Sequence, residues 1–215
     1  MAKRLLFLNP ISEELIESFN NEQPKLKIEC TPLIVTKEIP FEPSILDTTK
    51  PWVFTSQVAV KTVKKYPLSK TVYCVGEKTA DGLTNAITPA ISNAKELAKL
   101  IIQNNEKEVL FICGNKKKED LHNALERYEI KVKEVVVYET IFLQKSVNLQ
   151  CIDGLAFMSP SAVHSMNENG GFGNLPCFAI GKTTAYALES LGQKCIISQK
   201  TNASSIVQAA RQYFL

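Results

Sequence analysis

Short runs of β-branched and aromatic residues alternate along this chain with segments whose apolar positions recur at helical spacing. Strands are predicted at Arg4–Asn9, Lys27–Thr31, Trp52–Phe54, Thr71–Val75, Val109–Cys113, Lys131–Val137, Gly154–Met158, Cys177–Ile180 and Lys194–Ser198. Several of these are near-continuous apolar runs, the pattern of a parallel sheet covered on both faces. Between them, Ile11, Leu15, Ile16 and Phe19 share one helical face, as do Leu121, Leu125 and Tyr128. Asn93 with Glu96 predicts a capping box that opens a helix carrying Leu97 and Ile101. The alternation predicts an α/β fold with mostly parallel sheets flanked by helices.

An internal repeat refines that picture. Phe54-Thr55-Ser56-Gln57-Val58-Ala59-Val60 recurs as Phe157-Met158-Ser159-Pro160-Ser161-Ala162-Val163, 103 positions later. Val75-Gly76-Glu77-Lys78-Thr79-Ala80, with Leu83, recurs as Ile180-Gly181-Lys182-Thr183-Thr184-Ala185, with Leu188, at an offset of 105. Asn93-Ala94 has a counterpart in Asn202-Ala203, and Leu5–Leu33 matches Val109–Val137 at an offset of 104. The order is therefore strand–helix–strand half, turn-rich half, then both again. Joining the middle two halves makes a contiguous domain at 41–136. The outer halves then form a discontinuous domain from 1–34 plus 146–215. Residues 35–40 and 137–145 become two β-prone crossings able to pair as a two-stranded β linker. Spacing leaves open the other pairing, of consecutive halves into two contiguous domains with one crossing.

Composition narrows the function classes. The chain has 215 residues, more than one average domain of about 100–150. With 25 Lys+Arg against 22 Asp+Glu, the net charge of +3 is too small to mark a nucleic-acid protein. Only Arg4, Arg127 and Arg211 are arginines, so clustered guanidinium groups are not its way of holding anions. The apolar run after Lys3-Arg4 stops at Asn9-Pro10, too short for a secretory core, and no stretch approaches the roughly 20 apolar residues of a membrane span. The six cysteines lack any CxxC pair and read as reduced core residues of a cytoplasmic protein. His122 and His164 have no companions at catalytic spacing, and no cluster suggests a metal. Gly170-Gly171-Phe172-Gly173 reads as a surface connection more readily than as a lid.

The chemistry is expected at four strand-to-helix corners: Thr55-Ser56, Gly76 to Thr79, Ser159-Pro160-Ser161, and Gly181 to Thr184. In an open α/β sheet the carboxyl ends of strands form the binding crevice. Small residues there let a ligand approach, hydroxyls offer donors, and helix N-termini offer unpaired N–H groups to an anion. Ser and Thr are also ordinary N-caps, so one corner alone says little. No GxxxxGK[ST] and no GxGxxG occurs, which argues against a nucleotide. Tyr138 ends a β run where the chain leaves one domain and is expected to face a cleft.

These motifs, together with Val137-Tyr138-Glu139-Thr140, resemble the uroporphyrinogen-III synthase family over essentially the whole chain. The resemblance implies two α/β domains, the first discontinuous, joined by a two-stranded linker. It implies as substrate hydroxymethylbilane, a linear tetrapyrrole with an acetate and a propionate on each ring. The implied lyase reaction loses the terminal hydroxyl, closes the macrocycle and inverts the last pyrrole ring through a spiro intermediate, with no metal or organic cofactor. By the same resemblance Tyr138 is the catalytic candidate, assisting hydroxyl departure. The substrate-binding positions are Thr55, Ser56, Gly76, Thr79, Ser159, Ser161, Gly181, Lys182, Thr183 and Thr184. Many members carry Arg where this chain has Cys113 and Val58, which shifts the holding of substrate toward backbone amides and lysines such as Lys182 and Lys116. The expectation is a cytoplasmic monomer that binds neither nucleic acid nor membrane and serves tetrapyrrole synthesis. The other reading is a non-catalytic two-lobed small-ligand binding or regulatory homologue.

Overall fold

Alternating apolar stretches that bury both faces of a strand leave one arrangement for the helices, above and below a parallel sheet. A computed structural model describes residues 2–23, 25–117 and 119–214. The chain runs through β1 (Lys3–Phe7), α1 (Glu13–Asn21), β2 (Leu26–Cys30) and β3 (Ile34–Glu38). A short 3-10 turn at Pro43–Ile45 precedes β4 (Trp52–Phe54), α2 (Gln57–Val63), β5 (Val72–Cys74), α3 (Glu77–Ala80) and β6 (Ala86–Ile87). Next come α4 (Ala94–Gln103), β7 (Glu108–Gly114), α5 (Asp120–Glu126) and β8 (Lys131–Phe142). The last stretch holds β9 (Gly154–Phe157), α6 (Pro160–Glu168), β10 (Cys177–Ala179), α7 (Lys182–Glu189), β11 (Cys195–Ile197) and α8 (Ala203–Phe214).

The chain divides into two compact units, one of residues 1–35 and 141–215, the other of residues 36–140. In the first unit five strands lie in the order β11-β10-β9-β1-β2, and every pair is parallel. In the second, six strands lie in the order β3-β8-β7-β4-β5-β6, with the pairs from β8 to β6 parallel. Position for position, β1, β2, β9, β10 and β11 correspond to β7, β8, β4, β5 and β6. The second sheet is thus a circular permutation of the first with one strand added at its edge. Both chain crossings between the units pass through β3 and β8, which are hydrogen-bonded neighbours. Ile39 N–H donates to the Val137 carbonyl at 3.0 Å and Leu143 N–H to that of Leu33 at 2.8 Å. That pairing carries β8 five residues past the predicted end at Val137.

Each sheet separates two apolar layers, because successive side chains on a strand point to opposite faces. In the first unit Leu6, Leu155, Phe157, Cys177 and Ala179 pack on one face, while Leu5, Phe7, Ala156 and Phe178 pack on the other. In the second, Trp52, Phe54, Val72, Leu110 and Ile112 oppose Val53, Tyr73, Val109, Phe111 and Cys113. Loss of a large side chain from such a layer costs about 3–5 kcal/mol, against about 1 kcal/mol for a helix cap. Burial therefore decides the fold, and caps decide where helices begin.

Some local expectations change. Tyr128 lies in the turn after α5 and is exposed rather than on the packed face. Cys151 is exposed with φ 63, so it is not a core residue, although all six cysteines are free. Phe172 is buried against Phe157 at 5.8 Å between centroids, which pins the Gly170–Gly173 connection to the core. The capping box at α4 is half formed. Asn93 Oδ1 accepts from Glu96 N–H at 2.9 Å, but Glu96 pairs with Lys99 and Asn93 N–H donates to the Ile91 carbonyl. Asn93→Ala is expected to lower stability by about 1 kcal/mol in urea unfolding, whereas Glu96→Gln changes the midpoint by less than half as much.

Candidate functional site

All four predicted corners sit at carboxyl ends of parallel strands. Thr55-Ser56 follows β4 and Gly76 follows β5, its hydrogen-bonded neighbour. Met158-Ser159 follows β9 and Gly181 follows its neighbour β10. Within each unit two corners are therefore side by side on one sheet edge. In each unit the strand order also reverses beside the serine corner, between β9 and β1 and between β4 and β7. Such a switch point separates the loops and opens a crevice.

In the second unit Ser56 and Tyr138 meet at this end of the sheet. Ser56 caps α2, its Oγ accepting from Val58 N–H at 3.1 Å. The Tyr138 hydroxyl, arriving from β8, donates to the same oxygen at 2.9 Å. Burial pushes the Tyr138 phenol above its ordinary value of 10, against the lowering effect of the Ser56 hydrogen bond, so it holds its proton at neutral pH. The ring lies over Gly114 so closely that a Cβ there would fall 2.4 Å from it. Gly114 is thus the floor on which the tyrosine rests.

The first unit builds the equivalent corner differently. Ser159 caps α6 and accepts from Ala162 N–H at 3.3 Å. Its second partner is Asn9, just beyond β1, whose Nδ2 donates to Ser159 Oγ at 2.9 Å. Asn9 Oδ1 in turn accepts Met158 N–H at 2.7 Å, and Cys30 Sγ–H reaches the Asn9 carbonyl at 3.3 Å. Asn9 is buried and was not among the predicted site residues. Its only sequence signal is a polar residue closing an apolar strand ahead of Pro10.

The glycine corners also have unforeseen partners. Gly76 and Gly181 are both extended, with φ 177, so their backbones admit any residue. At Gly76 the constraint is close approach, since a Cβ would meet Ser92 Oγ at 2.3 Å; at Gly181 the nearest atom is Thr201 Cγ2 at 3.4 Å. Ser92 and Thr201 precede the repeated Asn93 and Asn202. Thr79 and Thr184 are buried, and their N–H groups donate to the carbonyls of Gly76 and Gly181. Thr55, Ser56, Ser159 and Ser161 are partly open, and Lys182 and Thr183 are exposed on the first turn of α7.

A family model described as "Uroporphyrinogen-III synthase HemD" matches residues 22–208. The chain belongs to the uroporphyrinogen-III synthase family. No curated protein sequence matches it. Among solved structures, it is similar to a mutant uroporphyrinogen III synthase from the extremely thermophilic bacterium Thermus thermophilus, with 17% identity and a TM-score of 0.69, covering 99% of this chain and 97% of that one. It is also similar to uroporphyrinogen-III synthetase from Helicobacter pylori, with 19% identity and a TM-score of 0.66, covering 99% of this chain and 100% of that one. At such identities the likeness is one of fold, an α/β fold with mostly parallel sheets flanked by helices.

In this family member two of the three arginines serve cohesion. Arg4, at the amino end of β1, pairs with Glu29, and Arg211 on α8 pairs with Glu22 and the Phe19 carbonyl. Cys113 and Val58 offer no cation, and Cys113 is buried with its thiol pushed up to about 12 by desolvation. A cleft of about 520 Å³ lined by Thr48, Thr49, Ser69, Thr71 and Glu106 lies at the amino ends of β4 and β5, opposite the corners. No helix among the described residues is long and apolar enough to cross a membrane.

His122 is not part of a corner. It links α5 to β8, with Nδ1 2.7 Å from Glu134 and Nε2 2.9 Å from Glu126. Lys117 joins the group, 3.0 Å from Glu119 and 3.1 Å from Glu134. Burial disfavours the imidazolium, but the hydrogen bonds to Glu126 and Glu134 outweigh it and raise the pKa above 6.5. A raised folded value gives stability that is complete below about 6.5 and fades as pH rises through the folded pKa. The stability gap between the wild type and His122→Gln, followed by urea unfolding, is therefore expected to be largest near pH ~5.5 and smallest near pH ~8.5.

Proposed function

We propose that the chain acts as a uroporphyrinogen-III synthase, a lyase that converts hydroxymethylbilane into uroporphyrinogen III with loss of water and inversion of the terminal pyrrole ring. The family match carries this reading, because it reaches across both units and every predicted corner. The substrate's acetate and propionate groups suit the amide- and hydroxyl-bearing corners of Thr55, Ser56, Gly76, Ser159, Ser161, Gly181, Lys182 and Thr183. Each corner offers N–H groups at a helix start, and Lys182 adds a mobile cation without a guanidinium fork. The protein works as a cytoplasmic monomer in this reading.

Cyclisation needs the two ends of a flexible chain in one conformer. Correct orientation of reacting groups is worth up to roughly 7–11 kcal/mol, against about 1.5–3 kcal/mol for one hydrogen bond to a charged group. Holding geometry therefore dominates. Tyr138 contributes the smaller part. Its hydroxyl and that of Ser56 can each donate or accept, so the pair can reverse: Ser56 donates to Tyr138, and Tyr138 donates to the departing hydroxyl. The C–O bond breaks as the Tyr138 proton joins the departing hydroxyl, and water leaves. The terminal pyrrole then attacks the azafulvene-like cation and inverts through the spiro intermediate, and the proton released on ring closure returns to the Tyr138 oxygen. Exclusion of water at that stage protects the cation.

The test is to present freshly made hydroxymethylbilane and separate the type I from the type III product. Formation of type III is expected; type I alone would reject the reaction and favour the non-catalytic ligand-binding homologue, for which the uncharged Cys113 and Val58 positions speak. Tyr138→Phe is expected to lower turnover at least tenfold while costing only about 0.5–1.5 kcal/mol of stability, since Ser56 keeps its bond to Val58. An undiminished rate, with melting temperature recorded alongside, would remove Tyr138 from catalysis.

A further inference from the structure

A serine hydroxyl has two acceptor sites and one proton, so filling both acceptor sites decides where the proton goes. Ser159 Oγ takes Ala162 N–H at 3.3 Å and Asn9 Nδ2–H at 2.9 Å. The direction of the second bond is fixed by a third group. Met158 N–H is 2.7 Å from the other amide atom of Asn9, and a backbone N–H needs an acceptor, so that atom is Oδ1. Nδ2 must therefore face Ser159. A flipped amide would set two donors, Nδ2–H and Met158 N–H, against each other in a side chain only 6% exposed. Among the described residues the Ser159 proton has no acceptor.

We propose that Asn9 is a positioning residue that makes Ser159 a one-way donor, its proton aimed into the crevice between β1 and β9 to bind a substrate carboxylate. This rests on the function proposed above. The corner in the other unit differs in kind. There Ser56 meets a second hydroxyl, Tyr138, and that bond can run either way. One unit thus has a fixed donor for holding an acid group, and the other has a reversible pair for moving a proton.

Asn9→Asp tests this with little change of shape. An aspartate keeps the acceptor for Met158 N–H but turns a second acceptor toward Ser159, drawing the serine proton inward. Wild type, Asn9→Asp, Ser159→Ala and the double variant are compared in turnover of hydroxymethylbilane to type III product and in titration with uroporphyrin III, at about pH 8 where the carboxylate is ionised. Expected for Asn9→Asp is a KM raised roughly tenfold with kcat little changed, and a matching loss of uroporphyrin III affinity. In the Ser159→Ala background the same change is expected to add nothing, because Asn9 acts through that hydroxyl. Additive losses in KM, or a loss confined to melting temperature, would overturn the proposal. Should Asn9→Asp fail to fold, Asn9→Ala replaces it; the donor is then removed without being reversed, and KM is expected to rise less, again only where Ser159 is present. A wild type that gives type I product alone would reject the reaction, while the uroporphyrin III titration would still read the Asn9–Ser159 coupling.

Discussion

Burial of short parallel strands on both faces is the constraint from which the rest follows. The β4, β5, β9 and β10 strands are buried along their whole length. Helices cover both faces of these central strands, so their only open parts are their ends. At the carboxyl end each strand must turn directly into a helix, and the first turn of that helix has N–H groups that want acceptors. A serine there satisfies the protein, and the same geometry presents donors to an anion. Structure and the proposed recognition thus draw on one set of atoms, which is why an N-cap motif alone is weak evidence of function and its repetition at a switch point is stronger.

The two units show how a duplicated plan diverges within that constraint. Their sheets share a strand order up to circular permutation, and both cap the first corner with serine and the second with an extended glycine. The partners differ. Ser56 is held by a phenol from β8 and Ser159 by an amide from the end of β1. Gly76 is pressed by Ser92, whereas Gly181 has ordinary contact with Thr201. Substitution tolerance should therefore differ at positions that align in sequence. The same scaffolding energy, a few kcal/mol of core packing per large side chain, supports two chemically distinct corners.

Charge serves cohesion away from these corners. Arg4 and Arg211 tie strands and helices together through Glu29 and Glu22, and Lys117 and His122 do so for α5 and β8 through Glu119, Glu126 and Glu134. Partly exposed pairs of this kind contribute little each, of the order of 0–1 kcal/mol. The serine corners keep hydroxyls and amides, groups that meet an anion without a large desolvation cost when empty.

The α/β class, most strand positions, the serine and asparagine caps, the repeat and the family were legible in the residues, because each depends on spacings of a few positions or on whole-chain similarity. A cap acts across two or three residues, as Ser56 on Val58 or Asn93 on Glu96, and so leaves a local trace. The Glu96 half of the capping box left the same trace and was not formed, since Lys99 and the Ile91 carbonyl competed for its groups. The burial of individual threonines was not legible either: Thr79 and Thr184 are buried, whereas Thr183 beside Thr184 is exposed. The pairing of Asn9 with Ser159 spans 150 positions and that of Tyr138 with Ser56 spans 82. Only the order in which strands lie side by side brings those atoms together. That order depends on burying both faces of each sheet at once, a condition set by the whole chain and by no segment of it.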